Sequence, residues 1–599
     1  MGFWDLGRSS AGGSKRSSAN QVGQPWIDYG GIMTASFRAG ETVLHHEGQR
    51  VHPQQAVHSE RLEQRFYQVG EDVWCFVGNG LSNQTFVRAP EGIIAIDTGE
   101  SIEEMEAALA ALRQETEAPI VACIYTHFHY VAGTQAILNE RGDDSLPIYG
   151  HAGIADNLNR FGGEVGPRGS RGMVYQFGML LPEEGEDGLV NVGLGRFFRN
   201  PEHSPFTPGH LPVTHPFSED TTLDIAGLEV QVIMAPSDAT DSVTLWFPAL
   251  QLAVNNIYWP ALFNVFAIRG EEYRDPRILL KGLDDLMALG AEHQVCAHGP
   301  PCSGKDDIRT SLARYRDSIQ FIWDQTVRHA NQGKRLDELT QHIKLPEHFE
   351  SDFRTQQLYG VVEHHVRQVY TGLFGWFDED TRHLFPMTPS DRATKMIAAM
   401  GGEAAVRDRI QSAVAEEDLR WALELASMLV DGTGDDGAHD NGALLASVLR
   451  KIASCSPSAN VRNWALTRAL SLEGRLNLDR FLVHRFRKAE VLAAPAARWV
   501  PVLRFLLDYR AADGLSGSIG FTFDDGSSAG LLFRNQVAVP IESDKAGIIW
   551  SLSKSAWADL LSCKATLSDT LYRESNVAGG TADDVRQLLS CFDIESFKH

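Results

Sequence analysis

A chain of 599 residues is longer than one hydrophobic core can serve, so it is expected to fold as three or four domains. Its 43% apolar and 22% charged residues are typical of a globular protein, and its net charge of −24 argues against a general nucleic-acid binder, because phosphate backbones attract basic surfaces. No run of about 18 apolar residues occurs, so no membrane span is expected.

Cysteine usage and the first residues favour a cytoplasmic protein. The seven cysteines are scattered without a C-x-x-C pair and mostly lie in apolar runs, which predicts reduced, buried thiols. The first 20 residues contain basic side chains but no apolar segment of the kind found in secretory signals. The cytoplasm is therefore the expected location.

The N-terminal half alternates between strand and helix patterns after an irregular start. Residues 1–50 are rich in Ser, Gly and Arg and predict an arm without regular structure. Apolar runs then predict short strands and one helix, at 73–77, 84–87, 92–96, 101–114 (the helix) and 120–125. This order suits an α/β layered fold in which ligands bind at the ends of strands.

The predicted secondary structure of the C-terminal half changes twice along the chain. Strands return between residues 223 and 255 and again at 294–297. From about 306 to 470 the apolar residues follow a helical period, and the examples are stretches at 308–329, 359–370 and 404–430. After about 475, a hairpin-like pattern at 521–541 and a final helix at 582–590 predict a separate region that mixes helix and strand.

The residues with the clearest chemical meaning are His127 and His129, in the loop that follows the apolar strand at 120–125. Imidazoles at positions i and i+2 can face one cation, although an isolated H-x-H pair is more often an ordinary polar loop. Further ligand-type side chains in strand-end positions favour a metal site: Asp97, Asp238, Asp241 and His298. Two imidazoles and one carboxylate form a facial set suited to zinc or iron(II).

Several further short motifs, each occurring once, follow one another along the chain. They lie at residues 81–83, 96–98, 124–127, 175–181, 193–195, 264–270, 274–275, 360–366 and 373–378. Together they make residues 51–599 resemble the type III alkylsulfatases, zinc enzymes of the metallo-β-lactamase superfamily that hydrolyse long-chain alkyl sulfate esters. The resemblance implies an α/β fold with a metallo-β-lactamase αββα sandwich, an all-α dimerisation domain and a C-terminal α+β sterol-carrier-like domain.

The same resemblance implies a division of the chain and an oligomeric state. The implied segments are an N-terminal arm at 1–50, a metallo-β-lactamase-like domain at 51–325, a helical dimerisation domain at 326–472 and a sterol-carrier-like lipid-binding domain at 473–599. A homodimer is the expected assembly.

Only part of the family's binuclear metal site is retained. The resemblance gives His127 and His129 the first metal, together with Asp238 in place of a glutamate, while Asp241 competes for that role. Residues of the second metal and of the bridge are replaced by Val131, Ala132 and Val254, and of the second site only His298 remains. The chain is therefore expected to bind one divalent metal ion, with zinc favoured over iron(II).

The anion-binding residues implied by the resemblance are better retained. Arg269 offers a planar fork suited to a sulfate, phosphate or carboxylate, and Asn264 and Tyr175 are further contacts. Nearby aromatic residues are open to two interpretations, ordinary core or the lining of a channel for an apolar tail: Tyr258, Trp259, Phe263 and Phe266. No catalytic residue is assigned from the sequence.

Three functions remain open at this point. The first is a divergent alkylsulfatase-like enzyme with one metal, acting on an amphiphilic anionic substrate by hydrolysis of a sulfate ester or a related bond. The second is a mononuclear iron(II) enzyme with oxygenase or lyase chemistry. The third is a non-catalytic dimer that binds lipid-like anions.

Overall fold

The computed structural model describes residues 42–142, 145–197, 206–432 and 438–599. Most of the predicted arm lies outside these residues, and its described end forms a short hairpin of β1 (Val43–Leu44) and β2 (Arg50–Val51). Across the described ranges, no helix has the length and apolar character needed to cross a membrane.

Seven strands follow one another in sequence order across the first sheet. They are β3 (Arg65–Val69), β4 (Val73–Val77), β5 (Gln84–Ala89), β6 (Gly92–Ile96), β7 (Ile120–Ile124), β8 (Ile148–His151) and β9 (His215–Phe217). Strands β3 to β6 pair antiparallel, whereas β6 to β9 are parallel. Strands β6 and β7 are almost wholly apolar because both faces of the sheet are covered.

Six strands form the second sheet, again in sequence order. They are β10 (Thr221–Ile225), β11 (Leu228–Met234), β12 (Val243–Phe247), β13 (Leu252–Asn255), β14 (His293–Cys296) and β15 (Cys302–Ser303). Only β13 and β14 are parallel. Apolar side chains from both sheets, such as Ile94 and Leu245, share one buried core, so the sheets pack face to face.

Helices cover the outer face of each sheet. The described helices of this part of the chain are α1 (Pro53–Arg61), α2 (Ile102–Leu112), α3 (Gln135–Arg141), α4 (Ile154–Gly163), α5 (Gly166–Phe177), α6 (Pro276–Ala288), α7 (Lys305–Asn331), α8 (Leu336–His342) and α9 (Val362–Phe374). Helices α2 and α3 pack on the first sheet, and α6, α7 and α9 pack on the second. The predicted αββα sandwich is confirmed.

The five helices that follow in the chain pack around a hydrophobic core of their own. They are α10 (Pro389–Ala399), α11 (Glu403–Ala415), α12 (Leu419–Gly432), α13 (Ala438–Cys455) and α14 (Ala459–Leu472). The helical stretch predicted at 404–430 is helical but divided, because the chain turns between α11 and α12. Glu417 has a φ of 61°, which a continuous right-handed helix excludes. The all-helical character of the region is confirmed.

The C-terminal region has its own sheet and core. Its elements are α15 (Lys488–Ala493), β16 (Gly517–Phe523), β17 (Ser528–Arg534), β18 (Val537–Ile541), β19 (Ile548–Leu552), α16 (Lys554–Leu561), α17 (Leu567–Arg573), β20 (Asn576–Ala578) and α18 (Ala582–Leu589). The strands lie in the order β18-β17-β16-β19-β20. The predicted α+β composition is confirmed, whereas the likeness to lipid carriers remains a prediction.

Candidate metal centre

The ends of strands from both sheets bring the candidate ligands together. Neighbouring parallel strands β6 and β7 end just before Asp97 and His127, and a single 3₁₀ turn over Phe128–Tyr130 follows. That turn brings His129 back beside His127, so that their ring centroids are 5.1 Å apart. Asp238 enters from the loop between β11 and β12 of the other sheet. The site therefore lies at strand ends, where α/β folds bind ligands.

Three of the predicted ligands form one compact cluster. His127, His129 and Asp238 each offer an atom within 4.8 Å of the other two. Asp238 Oδ2 lies 3.2 Å from His129 Nδ1, and Asp238 Oδ1 lies 4.0 Å from His127 Nε2. A zinc ion bound at about 2.1 Å holds its ligand atoms roughly 3 to 4 Å apart, so these donors fit a divalent metal ion.

Hydrogen bonds fix which nitrogen of His127 faces the cluster. Thr126 donates its backbone N–H and its hydroxyl to the carboxylate of Asp97, at 2.8 and 2.7 Å. The Thr126 oxygen then accepts from His127 Nδ1 at 2.8 Å. His127 Nε2 is left as a buried lone pair, with no hydrogen-bond partner among the described residues. Burial lowers the pKa of His127 to about 3, which also favours the neutral, ligating form.

Asp238, rather than Asp241, is the carboxylate in the cluster. Asn256 Nδ2 donates to Asp238 Oδ1 at 2.5 Å and fixes its orientation. Although burial opposes ionisation, His129 and His127 hold the pKa of Asp238 well below its usual range. Burial instead raises the pKa of Asp241 to about 6. Asp238 is thus the better preorganised anion at neutral pH.

The fourth predicted ligand, His298, has a different neighbour. Its Nδ1 donates to the carbonyl of Leu81 at 3.0 Å, so its Nε2 accepts from the Tyr130 hydroxyl at 3.3 Å. The Tyr130 ring packs edge-on against both His127 and His298, with centroids 5.0 and 5.3 Å away. A phenol side chain therefore lies between the metal cluster and His298.

Two of the residues that the sequence resemblance places at lost ligand positions pack as ordinary apolar residues. Val131 is 2% exposed and belongs to the core between the first sheet and its helices. Val254 is also 2% exposed and belongs to the core between the two sheets. Neither side chain can ligate a metal ion.

Two buried arginines lie beside the cluster and share one carboxylate. Arg269 Nε donates to Glu271 Oε1 at 2.8 Å, and Arg274 Nη2 donates to Glu271 Oε2. Glu271 Oε1 is also 4.0 Å from His129 Nε2. Despite the cost of burial, the two guanidinium groups lower the pKa of Glu271, so all three groups are charged.

The other predicted anion contacts have distinct surroundings. Asn264 is fully buried, and neither amide atom of its side chain has a hydrogen-bond partner in the described part of the chain. Tyr175 packs its ring against Trp464 of α14, with centroids 5.0 Å apart. The roles of both residues as substrate contacts remain predictions.

Several polar residues of the site were not identified from the sequence. Gln176 accepts from the backbone N–H of Arg269 and donates to the Tyr359 hydroxyl at 2.9 Å, linking α5 to the arginine segment. Glu271 is only two residues after Arg269, a proximity that could have drawn attention to it. Tyr359 comes from a segment far along the chain, so no local pattern could have placed it here.

The aromatic residues near the site are mainly core. Tyr258, Trp259 and Phe263 are at most 4% exposed and belong to the core beneath the second sheet. Trp259 also packs edge-on against His298, with centroids 5.3 Å apart. They support the wall of the site more clearly than they line an open channel.

Comparisons with known proteins identify similar chains and a similar fold. A family model for alkyl sulfatase dimerisation matches residues 335–475. A linear primary-alkylsulfatase of Pseudomonas sp. is 32% identical over 530 residues, which cover 85% of this chain and 98% of that protein. The alkyl/aryl-sulfatase BDS1 of Saccharomyces cerevisiae is 28% identical over 421 residues, or 68% of this chain and 63% of that protein.

The solved structure of the stereoselective inverting sec-alkylsulfatase Pisa1 from Pseudomonas sp. superposes with a TM-score of 0.81. The match covers 91% of this chain and 87% of that one at 23% identity. At that identity the superposition establishes a shared fold.

Proposed function

Because this chain belongs to the alkylsulfatase family, we propose that it hydrolyses the sulfate ester of an amphiphilic molecule with an alkyl or terpenoid tail, using one divalent metal ion per active site. The observation that carries the proposal is the cluster of His127, His129 and Asp238 beside two buried arginines. This arrangement places a metal-type donor set next to groups that bind anions.

The chain's own residues prepare the donor set for a metal ion. Thr126 and Asp97 keep the Nε2 lone pair of His127 directed at the cluster, and Asn256 fixes Asp238. A zinc ion bound there would supply a Lewis acid that activates water near neutral pH. Arg269 and Arg274 carry positive charge that stabilises the negative charge growing on the departing sulfate.

Tyr130 supports a count of one metal. Its hydroxyl faces His298 Nε2, the atom that a second metal ion would need, and its ring separates His298 from His127. Val131, Ala132 and Val254 remove the other donors of that site. We therefore assign Tyr130 to the place that a second ion occupies in the family's binuclear sites.

Rebuilding the lost ligands should restore a second metal only if Tyr130 is also removed. We expect the variant Tyr130→Ala, Val131→Asp, Ala132→His, Val254→Glu to bind about two zinc ions per chain by elemental analysis. The matched variant that retains Tyr130 should bind about one, because the phenol still blocks His298. Two ions in that control would show that Tyr130 does not fill the second site, and thermal melting checks that both variants fold.

A homodimer is the expected assembly. The last residue of α9 and the segment after it expose large apolar side chains within the region matched by the dimerisation family: Phe374 (49% exposed), Trp376 (74%), Leu384 (55%), Phe385 (95%) and Met387 (52%). Apolar surface of this kind is typical of a protein–protein interface.

The donor set also supports a second candidate. Two histidines and one carboxylate form the facial set of non-haem iron(II) enzymes, so oxygenase or lyase chemistry on the same fold is the alternative. Elemental analysis of the purified protein separates the two, because zinc supports hydrolysis and iron supports the alternative.

Hydrolysis is tested with decyl sulfate, a medium-chain alkyl sulfate. We expect release of one inorganic sulfate and one decanol per ester consumed, with no requirement for oxygen. A protein that binds zinc but releases no sulfate from alkyl or terpenoid sulfates would contradict the proposed function.

A further inference from the structure

The two buried arginines that are candidates for binding the substrate's sulfate, Arg269 and Arg274, both bind the carboxylate of Glu271. We propose that Glu271 occupies the position of the incoming sulfate and makes the site select tailed sulfate monoesters over free inorganic anions. The inference rests on the proposed function, since it assigns the arginines to the sulfate group of the substrate.

Glu271 is bound in the manner of a ligand. Its Oε1 accepts from both Nε and Nη2 of Arg269, and charge-assisted contacts of this kind also bind sulfate and phosphate. Its Oε2 accepts from Arg274 Nη2. All three side chains are at most 9% exposed, so water contributes little to screening these contacts.

Donors remain for an anion with more oxygens than a carboxylate. Arg274 Nε is buried and has no hydrogen-bond partner among the described residues, and the same holds for the amide nitrogen of Asn264. The two residues are in direct contact, because Arg274 Nη1 donates to the backbone carbonyl of Asn264. The sulfate group of a monoester has three terminal oxygens, so its third oxygen can use such donors, which the two oxygens of Glu271 leave unpaired.

The position of Glu271 also fits a substrate mimic. Its Oε1 lies 4.0 Å from His129 Nε2, so the carboxylate is next to the candidate metal ligands. An ester held here would have its sulfate between the arginines and the reacting centre.

The negative charge of Glu271 weakens the binding of free inorganic anions to the two arginines. Arg269 and Arg274 alone would present two buried positive charges and would attract any dianion, including the inorganic sulfate that hydrolysis releases. With Glu271 the three groups carry a net charge of about +1, and an incoming anion must displace a carboxylate that bridges both arginines. A sulfate monoester gains further binding from its apolar tail, whereas inorganic sulfate does not. Glu271 thus favours entry of the ester and release of the product.

The neighbouring residue offers a matched control. Glu272 carries the same charge one position along the chain, is exposed, and pairs with Arg160 at the surface. Its replacement changes the net charge equally without touching the two buried arginines.

Calorimetric titration of the metal-loaded protein with sodium sulfate tests the inference. We expect Glu271→Gln to bind sulfate at least about tenfold more tightly than the unmodified chain, and Glu272→Gln to bind it equally. The double variant Arg269→Ala, Glu271→Gln should lose the increase in sulfate affinity that Glu271→Gln shows over the unmodified chain. Unchanged sulfate affinity in Glu271→Gln would overturn the inference.

Two features keep this test decisive. If Glu271→Gln does not fold, Glu271→Ala also removes the charge and both acceptor oxygens, so it should tighten sulfate binding as well, and unchanged affinity would overturn the inference. Because binding is measured without turnover, a protein that hydrolyses no sulfate ester would refute the proposed function yet leave the comparison of sulfate affinities intact.

Discussion

Replacing Asp238 with asparagine is expected to remove the bound metal and to lower kcat/KM on an alkyl sulfate by at least roughly 10³-fold. Asp238 supplies the only carboxylate of the three-residue cluster, and it approaches both histidines. Groups that merely orient a metal ligand already change affinity or activity by about 10- to 100-fold, so the loss of a ligand should have a larger effect. Elemental analysis and steady-state kinetics measure the two effects.

The nearby Asp241 provides the control. It is buried in the same loop, but it lies outside the three-residue cluster. Asp241→Asn should therefore keep about one metal ion per chain. Loss of metal from Asp241→Asn, with retention in Asp238→Asn, would reverse the assignment of the carboxylate. His127→Ala should behave as Asp238→Asn does.

Replacing Arg269 with alanine is expected to lower kcat by about 10²- to 10³-fold while leaving the metal content unchanged. The Arg269 guanidinium is buried, and its charge is aimed at the space beside His129 that Glu271 now fills. Removal of one preorganised charged donor reduces the stabilisation of the transition state, in which negative charge develops on the sulfate. Kinetics and elemental analysis on the same preparation separate this effect from loss of metal.

Arg269→Lys refines that prediction. Lysine keeps the charge but loses the planar fork, so it should recover only part of the rate lost in Arg269→Ala. Full recovery would indicate that charge alone matters. An unchanged kcat in Arg269→Ala would remove the arginine from the reaction.

Local patterns predicted the sandwich closely where the chain is apolar and periodic. The strands predicted at 73–77, 92–96 and 120–125 differ from the observed bounds by at most one residue, because parallel or central strands need continuous apolar runs. The helical stretch predicted at 404–430 gave no sign of the turn at Glu417, because that turn depends on one backbone angle within a sequence that is helical in pattern throughout.

The site was predictable to the extent that its residues sit at strand ends. His127, His129 and Asp238 follow strands, and their convergence follows from the layered fold. The pairing of Tyr130 with His298 joins residues 168 positions apart, and neither residue type signals the other. Glu271 lies only two and three residues from its arginine partners, but the sequence does not show that the three side chains are buried together beside the cluster.

The most direct test of the one-metal hydrolase is the rate of decyl sulfate hydrolysis as the metal-free protein is titrated with zinc. The proposed site predicts that the rate rises linearly and reaches its maximum at one equivalent of zinc per chain. A maximum at two equivalents, or no hydrolysis at any amount of zinc, would contradict it.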